Sequence, residues 1–330
     1  MAYRARLWLF STRRAMTPHL QRETLRHAAL EMGFDACGFA RAVPVQQWAV
    51  EQYDRWIADG CNDCMEYATK YREVRNDPRL LIEGAKTVIS VAINYLPAIR
   101  QPENAPQFAL YAYGRDYHEV VKERLIRLAT YIEHATGCKS RPCTDTAPIR
   151  ERYWAQQAGI GFIGRNNMLI IPNRGSFFFL GELVTTLEVE PDEPCLLSCN
   201  GCNRCEQSCP GKALNGGKAA DARRCLSCQL IERRGELPKW VNNVIGNRVY
   251  GCDTCQLVCP HNQIATPTVL QDFAPSEAFL SLTHNDIIGM TPSRFRHLFA
   301  HSAIRRTRLD GLRRNAAAII DNSTAKCGNK

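Results

Sequence analysis

Eight cysteines between Cys199 and Cys259 have the spacing of metal ligands. Four fall in Cys199-x2-Cys202-x2-Cys205-x3-Cys209, followed at once by Pro210. Three more fall in Cys252-x2-Cys255-x3-Cys259, followed by Pro260, and Cys225 lies between the two runs. Such short spacers let three thiolates converge on one face of an iron–sulfur cube while the fourth cysteine reaches a neighbouring one. The second run is one ligand short, and Cys225 in "RRCLSC" is placed to supply it. Two four-iron clusters with crossed ends result. Cys199, Cys202, Cys205 and Cys259 would hold one, and Cys209, Cys225, Cys252 and Cys255 the other. Cys228, three residues after Cys225, competes for the eighth place. Zinc is the main rival, because paired CxxC knuckles bind it, yet zinc sites seldom carry the doubled CxxCxxCxxxCP form. Two linked clusters imply a redox relay.

The electrons need a destination, and about 190 residues precede the first cysteine run. No G-x-G-x-x-G follows a strand there and no P-loop is present, so a nucleotide site is not supported. The stretch "CTDTAPIRERYWAQQAGIGFIGRNNMLI" is richer. Asp145 sits between two threonines just before an expected helix. It reads either as an N-cap aspartate or as an acid at the mouth of a pocket, able to protonate a reduced substrate. Arg150, Arg152 and Arg165 add cations nearby, and Asn166 and Asn167 add amides. Of the other cysteines, Cys61-x2-Cys64 is spaced for zinc but lacks a second ligand pair, so a plain thiol pair is the simpler reading. Cys37, Cys138, Cys143, Cys195 and Cys327 read as reduced structural cysteines.

These groups need elements to hold them. Thr17-Pro18 suits a helix start, and apolar spacing predicts helices over Leu20–Met32, Val45–Asp59, Tyr117–Gly137 and Pro148–Ala158. Strands are expected at Thr87–Leu96, Met168–Ile171 and Phe177–Glu190. The alternation argues for an α/β or α+β first domain. The domains expected are a loose extension over 1–16, a catalytic domain over 17–194, a two-cluster domain over 195–265 cored by its clusters, and a short helical tail over 266–330. Hydrophobic content of 45% and charge of 23% are those of a soluble globular chain. Its sixteen cysteines, with no apolar run long enough for a signal peptide or a membrane span, suit a reducing cytoplasm. The formal charge of +9 is concentrated late, at Arg294, Arg296, Arg305, Arg306, Arg308, Arg313 and Arg314. That density suits either a phosphate backbone or a solvated helical face.

In chain order, "GFDACGFA", "YGRDYH", "DTAPIRER", "AGIGFIGRNNMLI", "FLGELVTTLEV", the first cysteine run, "CLSCQLIE", "IGNRVYGCDTCQLVCPHN" and "SAIRR" resemble the epoxyqueuosine reductases, from Thr17 to Asn315. Members of that family use cobalamin to reduce epoxyqueuosine, at the wobble position of tRNA, to queuosine, the last step of queuosine biosynthesis. The resemblance implies base-off cobalamin in a domain of the nitroreductase and reductive-dehalogenase type. It implies Asp145 as proton donor, with Tyr117, Arg152, Arg165 and Asn166 around the corrinoid. It further implies an external ferredoxin or flavodoxin as electron donor, tRNA phosphates on Arg305, Arg306 and Arg308, and a monomer. Three departures stand out: Cys228 where the family usually has tyrosine, a short C-terminal region, and no counterpart for the first sixteen residues. A corrinoid reductase of a small molecule and a two-cluster electron carrier are the competing readings.

Overall fold

The run "TVISVAIN" lacks polar alternation, as a strand covered on both faces requires, and Thr87–Asn94 is buried along its whole length. In the computed structural model, which describes residues 18–216 and 219–327, it is strand β2 of a four-stranded sheet. The expected extension over 1–16 and the cap residue Thr17 lie outside the described residues. Strand β1 (Ala36–Arg41) and β7 (Phe178–Thr185) flank β2, and β4 (Ser140–Cys143) forms the far edge, in the order β1-β2-β7-β4. Every pairing is antiparallel, so the architecture is the α+β form of the expectation.

Helices cover both faces. Helix α4 (Tyr117–Thr136) places Val120, Val121, Leu125, Leu128 and Ile132 against Ile89, Val91, Ile93 and Leu183. On the other face, Tyr153 and Trp154 of helix α5 (Glu151–Gln157) meet Val88 and Val184. Two glycines let these helices approach. A Cβ on Gly181 would stand 2.7 Å from the Val121 side chain, and one on Gly38 would stand 2.0 Å from the Ala158 carbonyl oxygen. The Asp116 side chain caps α4 by accepting from His118 N–H at 3.0 Å, and Gly137 closes the helix at φ +73°. Helix α5 starts three residues later than the sequence suggests, because the chain from Thr144 to Arg150 is an irregular turn.

The cysteine-rich segment is not cored by its cluster sites alone. Leu226, Leu230 and Ile231 of helix α7 (Leu226–Ile231) enter the same core as β2 and α4, as do Val249 and Tyr250 of strand β8 (Arg248–Tyr250). Strand β3 (Gln107–Phe108) pairs in parallel with β8 and ties the two halves of the chain together. The physical reason is length: the span between the cysteine runs is long and apolar enough to form elements that need burial. Ile304, with Leu312 and Ala316 of the last helix (Arg308–Cys327), completes this core. No described helix is long and apolar enough to cross a membrane.

Candidate functional site

The hairpin of β5 (Phe162–Ile163) and β6 (Leu169–Ile170) holds the turn at 164–168 tight, with Asn167 in the left-handed region at φ +61°. This turn lies against a ring of thiols. Cys199, Cys202, Cys205 and Cys259 line one cavity, together with Arg165 and Asn166. The Arg165 backbone N–H points at the Cys199 sulfur at 3.4 Å, and that of Ala213 at the Cys209 sulfur at 3.3 Å. Cys209, Cys225, Cys252 and Cys255 form a second set. Burial pushes the Cys255 thiol well up, and the neighbouring sulfurs of Cys252, Cys225 and Cys209 push it further. Two groups of four thiols, with backbone donors aimed at sulfur, are a donor set that fits four-iron clusters. Cys228 takes no part in either ring. Its sulfur faces that of Cys64 at 3.9 Å, whereas the Cys225 thiol lies with those of Cys252 and Cys209.

Asp145 stands on the turn between β4 and α5, at φ +28°, a backbone conformation that an aspartate adopts only under constraint. It does not cap α5, whose N-cap position is Arg150. Its carboxylate accepts from His118 Nε2 at 2.9 Å, and His118 Nδ1 donates to Asp116 Oδ1 at 2.6 Å. Burial opposes charge on both partners, but the mutual pairing wins. His118 is pushed up to about 9 by Asp116 and Asp145. Asp145 is held below the usual carboxylate range by His118, with help from the Tyr117 hydroxyl. At neutral pH the proton therefore sits on His118 beside an ionised Asp145. Glu151 accepts from the Asp145 backbone N–H at 2.6 Å, and burial together with the Asp145 charge pushes its carboxyl up to about 7. Beneath it, Glu182 on β7 is wholly buried, and burial drives its carboxyl well above the ordinary range.

Asp145 and Arg152 reach solvent, yet burial dominates the environment of both. Groups that are wetted but surrounded by protein line a cleft. Tyr117 stacks on Phe179 with ring centroids 4.4 Å apart and touches Asp145, so it belongs to the same wall. Arg152 donates through Nη1 to the Asn167 carbonyl. Arg165 and Asn166 are placed elsewhere. The Arg165 guanidinium makes a bidentate pair with Glu206, at 2.7 and 2.9 Å, and the Asn166 amide donates to the Cys255 carbonyl. The turn at 164–168 carries both to the cluster side, so their contacts are with the ligand loops rather than with the Asp145 cleft. Spacing alone missed His118, Asp116 and Glu151; the only signals were the "RDYH" cap and the acid in "PIRER".

The late arginines divide. Arg313 and Arg314 donate to main-chain carbonyls at Met290 and Gly235, and Arg294 pairs with Asp286 at 3.0 Å. Arg306 pairs with Glu232 at 2.6 Å and lies over the Tyr67 ring, near enough to Asp145 to lower its pKa. Arg305 and Arg308 are exposed and make no ion pair among the described residues.

Two family models match the chain: "Epoxyqueuosine reductase QueG, DUF1730" over residues 75–146, and the 4Fe-4S double cluster binding domain over 198–262. The epoxyqueuosine reductase of Leadbetterella byssophila is 37% identical over 294 residues, which cover 88% of this chain and 95% of that protein. The chain belongs to the epoxyqueuosine reductase family. The Cellulophaga algicola epoxyqueuosine reductase is 34% identical, with 89% of this chain and 96% of that one covered. A solved epoxyqueuosine reductase bound to an epoxyqueuosine-modified tRNA-Tyr stem loop superposes with a TM-score of 0.86 at 28% identity, over 92% of this chain and 81% of that one.

Proposed function

We propose that the chain reduces epoxyqueuosine to queuosine in tRNA, with Asp145 delivering the proton that His118 stores. The observation that carries this is the adjacency of two sites. Arg152, in the wall of the Asp145 cleft, is bonded to the turn at 164–168, and the same turn donates to Cys199 of the first thiol ring. Tyr117, Asp145 and Arg152, which share one wall, would border cobalamin. When bound, cobalamin supplies a low-potential centre for opening a C–O bond, and the clusters supply its electrons.

The remaining chemistry belongs to the chain. Converting an epoxide to an alkene consumes two electrons and two protons and releases water. His118 holds one proton at neutral pH, in direct contact with Asp145. As the C–O bond breaks, His118 gives this proton to the Asp145 carboxylate, which passes it to the oxygen and is left ionised beside a neutral His118. Glu151, titrating near neutrality within the same hydrogen-bonded cluster, holds the second. Arg305 and Arg308 neutralise phosphates of the stem loop, and the wobble base enters the cleft from a single-stranded loop, where extrusion costs little. A ferredoxin or flavodoxin feeds the clusters.

The test is anaerobic incubation of the cluster-loaded chain with cobalamin, a low-potential reductant and an epoxyqueuosine-bearing stem loop. Nucleoside mass analysis should show loss of one oxygen. Unchanged epoxyqueuosine with a chain that has bound both clusters and cobalamin would refute the assignment.

A further inference from the structure

We propose that Asp63, Cys64 and Cys228 form a third metal site, for a single thiophilic divalent cation of the zinc class, separate from both cluster rings. One thiol of Cys64, one of Cys228 and a carboxylate oxygen of Asp63 all lie within 4.8 Å of one another. The two sulfurs are 3.9 Å apart. Two thiolates at 2.3 Å from a tetrahedral zinc stand about 3.8 Å apart, so the pair needs almost no movement to close on a cation. A disulfide would need the sulfurs to close to about 2.05 Å.

The surroundings complete the case. Gln229 Nε2 donates to Asp63 Oδ2 at 2.7 Å and Arg233 bonds the same carboxylate at 3.2 Å. Such outer donors fix the orientation of a ligating carboxylate. Arg233 also balances the net negative charge that two thiolates and one carboxylate leave around a divalent ion. The thiol protons pass to solvent as the cation binds. The partly exposed side of Cys64 leaves a fourth position for water. The site joins two parts of the chain, because the Cys61–Cys64 turn is already docked on the second half. Ala222 N–H donates to the Cys61 carbonyl at 2.8 Å, and Trp56 Nε1 to the Ala220 carbonyl at 2.8 Å. A bound cation would therefore clamp that turn to α7, the helix that follows the cluster ligand Cys225.

Zinc is titrated into the anaerobically purified, cluster-loaded chain, followed by zinc K-edge absorption and metal analysis. One zinc per chain is expected, with two sulfur neighbours at about 2.3 Å and two oxygen neighbours at about 2.0 Å. Cys64→Ser and Cys228→Ala should each weaken zinc binding by at least about 100-fold and retain full iron, and Asp63→Asn should weaken it by about 10-fold. No bound zinc, zinc with four sulfurs, undiminished zinc in Cys64→Ser, or iron lost from Cys228→Ala would each overturn the site. The last result would also return Cys228 to the clusters.

Discussion

Replacing His118 with glutamine asks whether the acid in the cleft works as a pair. Glutamine keeps a hydrogen-bond donor and carries no charge. In the native chain the imidazole is gripped between Asp116 at 2.6 Å and Asp145 at 2.9 Å, and its pKa moves from 6.5 to about 9. In a dry site that displacement would be worth ~3 kcal/mol. The His118 side chain is 32% exposed and that of Asp145 51%, so solvent screening reduces it to about 1 kcal/mol. Because the folded value lies above the unfolded one, His118 contributes fully below pH 6.5 and loses its contribution as the pH rises through about 9. Asp145 runs the other way. Its folded pKa lies below 3.8, so its contribution is present above that value and disappears as the pH falls through the depressed one.

The pair is thus intact across neutral pH, and His118→Gln should cost about 1 kcal/mol there, or about 1–3 °C in Tm. Near pH 10 the two chains should melt alike. Single-turnover reduction of an epoxyqueuosine stem loop is the second readout. The native rate should fall above about pH 9, as the stored proton is lost. The variant should be about 10²-fold slower at neutral pH and should lack that alkaline limb. A variant that keeps the limb at an unchanged midpoint would refute the pairing, whatever its overall rate.

On the proposed role of Asp145 as proton donor, Asp145→Asn should lower single-turnover rates by about 10²–10⁴-fold while iron content and stem-loop binding stay native; a near-native rate would hand the proton to Glu151. Arg305→Glu with Arg308→Glu should weaken stem-loop binding and make the slope of log affinity against log salt shallower by about 1.4–1.8, since each lost phosphate contact is worth about 0.7–0.9. Native stability is expected of this double variant because both side chains are exposed. An unchanged slope would leave them on a plain solvated face.

What the sequence disclosed was whatever depends on neighbours along the chain. Thr87–Asn94 announced itself as a strand because burial on both faces demands an unbroken apolar run, and α4 because its apolar stripe and both its caps are local. The cysteine runs were legible for the same reason: the wrapping of a cluster is set by spacers of two and three residues. Two strands of the four-stranded sheet were missed. "ACGFAR" has little intrinsic β preference and becomes β1 through its pairing with β2. "SRPC" contains a proline, which only an edge position tolerates, and β4 is that edge. His118 was invisible because its partner lies 27 positions away, and the Cys64–Cys228 pair because 164 positions separate the two.

The displacement of Arg165 is the most instructive difference. It was expected beside Asp145 and Arg152, but it stands on the turn of a hairpin of two short strands. Its guanidinium then serves Glu206 next to Cys205, and its N–H serves Cys199. Arg152 remains on the cleft side and reaches the same turn from behind. One turn of backbone at 164–168 is therefore all that lies between the residue walling the cleft and the thiols of the first ring. A redox relay needs that closeness, and a rigid hairpin fixes it better than a long side chain would, because no rotamer must be frozen to maintain it. The positive φ of Asn167 belongs to the same economy of movement: a left-handed residue locks the turn, and its carbonyl is left aimed at Arg152.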